Sequence, residues 1–378
     1  INHASFEIKT GIYSNLDRIK SIYASHKIFL IVRDDLKDLI KEKFPDFTIN
    51  PSIIPKGLYL NGSVVWNQSF FEKNKLEDIG CFENKIYFIK NKKEIELNNF
   101  NNFLKEIINN TNENEQCKEL SAINYLWDAI NIFKKQIKLD KIKLPIKSDY
   151  EMHNSVIKVN DKNIFINKTS IIKAGVILDA EKGPIIIGKN TTIDSGAIIQ
   201  GPVFIGNNSY ISLGAKIRPN CYIGNDCKVG GEVSSSIIND CSNKVHDGFL
   251  GNSYVGEWVN IGAGTNVSNL KNNYSDVKFN FGNKKIENTE QMFLGSFIGD
   301  YARIGISSML NTGTYIGLGA NIFGGGFQKK HIPSFSWGES DVVDFKKFIK
   351  TCKKVKLRRQ KNISISEMDF LKKLYFSK

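Results

Sequence analysis

The chain has 378 residues and a mass of 42.7 kDa, too long for one ordinary domain and enough for two or three of roughly 100–200 residues each. Hydrophobic residues at 41% and charged residues at 24% exclude wholesale disorder, and aliphatic runs such as Ile28–Val32 fall far below the ~18 residues of a membrane span. The net charge of +13 favours anionic partners, whether phosphorylated small molecules, nucleotides, coenzyme A or nucleic acid.

The start Ile1-Asn2-His3-Ala4 has neither a basic-then-apolar signal nor an initiator Met, so upstream sequence is expected. Ile28–Arg33 reads as a buried strand, and Asp34 or Asp35 as the cap of a helix running to about Phe44. Gly57–Trp66 and Lys85–Leu97 read as strands, the latter as a hairpin around Asn91. An Asn-rich surface loop over 109–115 is followed by an amphipathic helix, Leu120–Lys138, with Ile123, Leu126, Trp127, Ile130 and Phe133 on one side. Residues 1–145 thus form a small α/β domain, and 146–169 a linker.

From 170 to 338 a period of six takes over. Ile187, Ile193, Ile199, Ile205, Ile211, Ile217, Ile223 and Val229 follow one another without a miss, and four positions after each of the first seven stands a small or β-branched residue, from Thr191 to Cys227. That period fits neither a helix nor a strand alone. It fits a short strand plus a corner, wound as a solenoid whose coils share one core and whose ends need caps. Cys221 and Cys227 then fill space in that core, and with no metal-ligand spacing among the six cysteines all are expected as reduced thiols in a cytoplasm. The phase resumes at Phe249, Val255, Ile261 and Val267 and again from Ile298, so the polar stretches between are expected as loops carrying the site. His331 and Gly324–Gly326 read as a solenoid bend. Residues 339–378 read as a helical cap, with Ser364 and Glu367 as a capping box. The basic run Lys353–Lys361 lacks the interleaved aromatics of a nucleic-acid groove and reads as a solvated face near an anionic ligand.

Four runs carry a resemblance: Gly230-Gly231-Glu232-Val233, Ser242-Asn243-Lys244-Val245-His246-Asp247-Gly248-Phe249-Leu250-Gly251, Val259-Asn260-Ile261-Gly262-Ala263-Gly264-Thr265, and Ser268–Tyr274. They resemble the acetyltransferase half of the bifunctional N-acetylglucosamine-1-phosphate uridylyltransferase and glucosamine-1-phosphate acetyltransferase family, in a divergent branch of sugar nucleotidyltransferases. The resemblance implies a left-handed parallel β-helix with three hexads per triangular coil, active as a homotrimer, following an α/β amino-terminal domain. It implies transfer from acetyl-CoA to an amino sugar held as its phosphate or nucleotide conjugate, a step that needs no metal, no nucleic acid and no membrane.

Carried onto this chain, the resemblance makes His246 the general base, and an imidazole suits that task near neutral pH. Arg218 matches the arginine that clamps the sugar phosphate. Glu232, Phe249, Asn260 and Asn269 fall on the substrate side. Gly262, Ala263 and Gly264 fall where a backbone amide meets the oxyanion, and Ala263 and Ser296 where the coenzyme A arm lies. Two departures, Ser234 for a lysine and Phe249 for a tyrosine, leave Lys244 or Lys271 to compensate. Ser5–Ile12 resembles a segment just after the nucleotidyltransferase loop, so the alternative is a sugar-1-phosphate nucleotidyltransferase, using Mg2+, with the solenoid serving trimerisation. A third reading, an eroded scaffold, is disfavoured by the presence of His246.

Overall fold

The computed structural model describes residues 3–141, 151–282, 285–324 and 326–377. The chain divides into two compact units, one of Asn2–Ala129 with Ser364–Leu371, the other of Ile130–Ile363 with Lys372–Lys378.

The smaller unit is built from short elements. Ser14 caps the helix Asn15–Ile22 reciprocally: its Oγ accepts from Asp17 N at 3.1 Å, and its own N–H donates to the Asp17 carboxylate at 2.9 Å. Gly57–Leu60, Lys85–Asn91 and Ile79–Phe82 form an antiparallel sheet. The hairpin expected around Asn91 turns instead at Glu83 and Asn84. Both are left-handed (φ 49 and 56), which matches the turn to the strands' twist, and Asn91 pairs with Gly57. The expected strand Ile28–Arg33 is only Phe29–Leu30, parallel to Thr48–Ile49, and the helix after it starts at Lys37, beyond a 3-10 turn over Asp34–Leu36. Val64, Trp66, Phe70, Phe88 and Cys117 make the core.

In the larger unit, strands from Glu151 to Ile332 wind as a three-sided parallel β-helix. Its faces are parallel stacks of six strands, of nine, and of eleven whose last pair is antiparallel. The region expected as a linker over 146–169 is, from 151 on, the first coil. Glu151–Met152, Ile157–Val159 and Ile164–Ile166 each pair in parallel with the coil above, while 146–150 lie outside the described residues. A wider coil of 21 residues there hides it from a count of six.

Each aliphatic turned to the axis stacks on its counterpart, as Ile193, Ile211 and Val229 do on the first face, with essentially no exposure. A hydroxyl ladder runs beside them. Thr191 Oγ1 donates to Gly206 O at 2.7 Å and accepts from Ser209 N at 3.3 Å, and Ser209 Oγ donates to Gly224 O at 2.8 Å and accepts from Cys227 N at 3.0 Å. The buried small residue thus completes the backbone bonding that a tight corner interrupts. Cys221 and Cys227 occupy this kind of position, and burial pushes the Cys221 thiol up to about 12 and that of Cys227 well above the usual thiol range.

The stretch between Val229 and Phe249 is not an extruded loop. The coil repeat of 18 residues drops there to 15 and then to 17, yet Glu232–Ser234, Ile237–Ile238, Asn243–Lys244 and Phe249–Gly251 stay in register. Because corners shorten, the inward phase shifts: Leu250 turns to the core and Phe249 faces outward. The second interruption is a true excursion, since paired coils there stand 43 residues apart. It carries a hairpin, Lys278–Asn280 with Ile286–Asn288, whose Phe279 ring lies edge-on to Phe297 at 5.3 Å and Tyr315 at 6.3 Å. His331 stands in the last strand of the nine-stranded face, stacked on Tyr315, and Gly325 lies outside the described residues.

Asp344 caps the helix Phe345–Leu357 through Lys347 N at 2.8 Å, and Ser364 accepts from Glu367 N at 3.0 Å to open the helix Ile365–Phe376. The basic run does not simply face solvent. Lys356 and Lys361 place Nζ 5.1 and 5.7 Å from the Trp258 ring centre, Lys361 bonds Asp226 at 2.8 Å, and Arg359 reaches Asn243 Oδ1 at 2.8 Å. Trp258 and Tyr301, both left-handed at φ 61, stack at a corner with planes 4° apart. That backbone costs each about 1 kcal/mol or more, and the stacking and overlying ammonium groups offset it.

Ser209→Ala leaves Gly224 O and Cys227 N buried without partners, at about 1–3 kcal/mol for each. Urea unfolding of this variant is expected at a clearly lower midpoint with an unchanged slope.

Candidate active site

The corner after the strand Asn243–Lys244 carries His246, and two glycines let the chain turn closely enough for it to stack. A Cβ on Gly248 (φ 121) would lie 2.1 Å from Thr265 O, and one on Gly231 (φ 65) would lie 2.8 Å from the carbonyls of Gly248 and His246. His246 and Asp247 are exposed, and the imidazole makes no hydrogen bond among the described residues. Gly264 N donates to Asp247 O at 2.9 Å, which seats the Gly262–Gly264 corner directly on the His246 corner. Asn260 opens the strand leading into that upper corner and is exposed, paired in register with Asn243.

Of the three amides expected as oxyanion donors, two are already engaged. Gly262 N donates to Ile304 O at 2.9 Å and Gly264 N to Asp247 O, whereas the Ala263 N–H has no partner among the described residues. Ala263 is the one donor of the three left for a ligand.

On the adjoining face Lys216, Glu232 and Phe249 stack in register, so Phe249 flanks the His246 corner. Arg218 follows that strand and pairs with Glu232 at 2.9 Å, with 53% and 35% of the two side chains exposed. A half-exposed guanidinium in such a pair can exchange its carboxylate for a phosphate. Asn269 Nδ2 donates to Asn252 Oδ1 at 2.8 Å, and Lys271 bonds Ser275 Oγ at 3.2 Å and the Asp276 carbonyl, so both hold local contacts in and below the excursion.

Two assignments are corrected. Ser296 is fully buried at the small-residue position of its coil, its N–H bonded to Ser253 Oγ at 2.9 Å, and cannot meet a coenzyme A arm in this fold. Lys244 does not compensate for a missing phosphate contact, because it occupies an inward slot opposite Val229, 2% exposed. Its Nζ donates to His246 O at 2.8 Å and Gly230 O at 3.1 Å, and burial lowers its pKa to about 8 despite the nearby Asp247. Sequence reading also missed Arg359, which the fold returns to Asn243 beside Asn260; the signal was the basic run, whose destination spacing does not encode.

Residues 2–145 match a family model described as sugar nucleotidyl transferase. A bifunctional sugar-1-phosphate nucleotidylyltransferase/acetyltransferase of Sulfurisphaera tokodaii is 34% identical over 207 residues, 53% of this chain and 51% of that protein, so the chain matches about half of that relative's length. The resemblance read from the motifs is borne out by these two matches. A variant of AntD, an N-acyltransferase from Bacillus cereus solved with dTDP and coenzyme A, is 17% identical, covers 54% of this chain and 89% of its own, and superposes with a TM-score of 0.21. The UDP-N-acetylglucosamine acyltransferase of Francisella novicida is 17% identical over 61% of this chain and 78% of its own, with a TM-score of 0.25. No helix among the described residues is long and apolar enough to cross a membrane.

The buried Lys244 makes stability depend on pH in a definite direction. Its native value of about 8 lies below the ~10.4 of an unfolded lysine. Between those values the unfolded chain binds more protons, so stability rises with pH across that window. Compared with Lys244→Met, wild type is expected to gain about 2 kcal/mol of relative stability between pH 7 and pH 10, as measured by urea unfolding at each pH.

Proposed function

We propose that the chain transfers an acetyl group from acetyl-CoA to the amine of an amino sugar held as its phosphate or nucleotide conjugate. The observation that carries this reading is the stacked corner pair, which sets an exposed imidazole beside the Ala263 amide, neither with a hydrogen-bond partner among the described residues. The sugar amine attacks the thioester carbonyl carbon while His246 accepts its proton. Charge developing on the carbonyl oxygen meets the Ala263 N–H, a donor held rigidly by the coil stack. The tetrahedral species collapses with cleavage of the C–S bond, and the imidazolium returns its proton to the departing thiolate. Arg218 receives the sugar phosphate, with Glu232, Phe249 and Asn260 shaping the adjoining wall.

The active unit in this proposal is a homotrimer. Leu213 and Ile306 are each 74% exposed, and the Ser307 N–H bonded to Ala263 O at 2.7 Å seats Ile306 on the corner column of the site. A second copy packed on that apolar edge closes the groove for the pantetheine arm.

A second activity is favoured by the match of residues 2–145 to sugar nucleotidyl transferases. The smaller unit also holds a cavity of about 690 Å³ lined by Phe6, Tyr23, Lys27, Lys56 and Tyr59 among others. Magnesium, if bound, would supply charge neutralisation to the triphosphate. Among the described residues no group of three His, Cys, Asp or Glu stands together to hold a metal ion, so no step is assigned through one.

With acetyl-CoA and a panel of amino-sugar phosphates, free thiol is expected to appear, and His246→Ala to lower its rate about 10²–10⁴-fold. Thiol release from every acceptor at the same rate in wild type and His246→Ala would overturn the acetyltransfer reading. Pyrophosphate release from UTP, magnesium and a sugar 1-phosphate, unaffected by the same substitution, would place nucleotidyl transfer in the smaller unit.

A further inference from the structure

One residue of the solenoid breaks its own core rule. On the first face the inward column runs Ile172, Ile193, Ile211 and Val229, and beyond the break Ile261, Ile304 and Ile322. Between Val229 and Ile261 the slot belongs to Lys244, opposite Val229 in register. An ammonium in an apolar column is costly unless hydrogen-bonded, so its partners indicate what it supports. They are the main-chain oxygens of His246, on its own corner, and of Gly230, on the corner beneath.

The surroundings make this a bracket rather than a chance contact. Gly230 N donates back to Lys244 O at 2.6 Å, and Ser212 Oγ donates to Val245 O at 3.0 Å, so the two corners are tied on both sides of the lysine. Any residue with a Cβ at position 231 would collide with Nζ, at 2.8 Å. The bracket also sits where the repeat contracts to 15 residues, the place where ordinary corner bonding is least regular. His246 is two residues from Lys244, and its ring projects from the same peptide unit whose oxygen the ammonium holds.

We propose that Lys244 is a positioning residue: its buried ammonium clamps the main chain of the His246 corner from inside the prism and so sets the direction in which the imidazole faces the acceptor amine. The proposal rests on the acetyltransfer reading for its catalytic meaning, but not for its geometry. Of the charged groups around Nζ, Asp247 faces it from the same corner; Glu232 and Arg218, on the neighbouring strands, are paired with each other; the 230–231 corner beneath and the Gly262–Asn266 corner above carry no ionisable side chain. Loss of the ammonium's proton, near pH 8, therefore weakens the clamp with no cation to replace it.

The test compares wild type, Lys244→Met, which keeps the stem and removes the charge, and His246→Ala. Circular dichroism and sizing establish that each is folded. At saturating substrates, Lys244→Met is expected to lower kcat for thiol release at least tenfold with KM for acetyl-CoA within twofold. In wild type kcat is expected to fall above pH 8, and this alkaline limb to be absent from the variant. Independently of activity, the His246 ring resonances of wild type, assigned by their absence from His246→Ala, should show a second inflexion near pH 8 that Lys244→Met lacks. A variant with wild-type kcat and the same alkaline limb, or a wild-type ring signal with no inflexion there, overturns the proposal. Should Lys244→Met not fold, the wild-type ring titration decides alone. Should wild type release no thiol at all, the acetyltransfer reading fails, while the ring signals still decide whether the clamp exists.

Discussion

Every feature of the larger unit depends on coil stacking in register. One aliphatic per face turns to the axis, and the backbone of each coil bonds to the next. A β-solenoid has no second layer to absorb error, so a misfit in one coil would be passed to its neighbours. The hydroxyl ladder of Thr191, Ser209 and Ser242, and the shared use of αL positions at the corners, are the means by which successive coils agree.

Within that constraint, the proposed site lies where the repeat is bent without being broken. Shortening two coils moves His246 onto a projecting corner while the strands on either side remain paired. The exposed imidazole is thus held by rigid elements rather than by a loop, which is what preorganised catalysis requires. The Ala263 amide is available for the same reason: stacking engages the amides of its two neighbours and leaves this one without a partner among the described residues.

How much of this was legible in the sequence follows from the same physics. The unbroken run from Ile187 to Val229 fixes fold class because six-residue spacing has one structural solution. The motifs around His246, Asn260 and Gly262, which carry the proposed site, fall on one column of corners. What escaped notice were departures from the count. Three extra residues at the corner near Lys182 concealed the first coil, and contracted corners made Phe249 read as inward when Leu250 is. Lys244 reads as a phosphate contact because its charge argues for an exposed position, and only the register with Val229 reveals it as interior. Ser296 was assigned to a ligand for want of the same register. In the smaller unit, Glu83 and Asn84 form the turn although neither is glycine, so the hairpin was placed at the wrong asparagine.

The last coil ends differently from those before it. Ser336–Trp337 stacks on Asn321 in parallel, and Asp341–Val342 then folds back against it in the opposite direction. An antiparallel lid of this kind offers no template for another turn of the prism. Lengthening over generations is therefore confined to the interior, where duplicating a whole turn preserves each column, and a terminal copy would find its docking edge already closed.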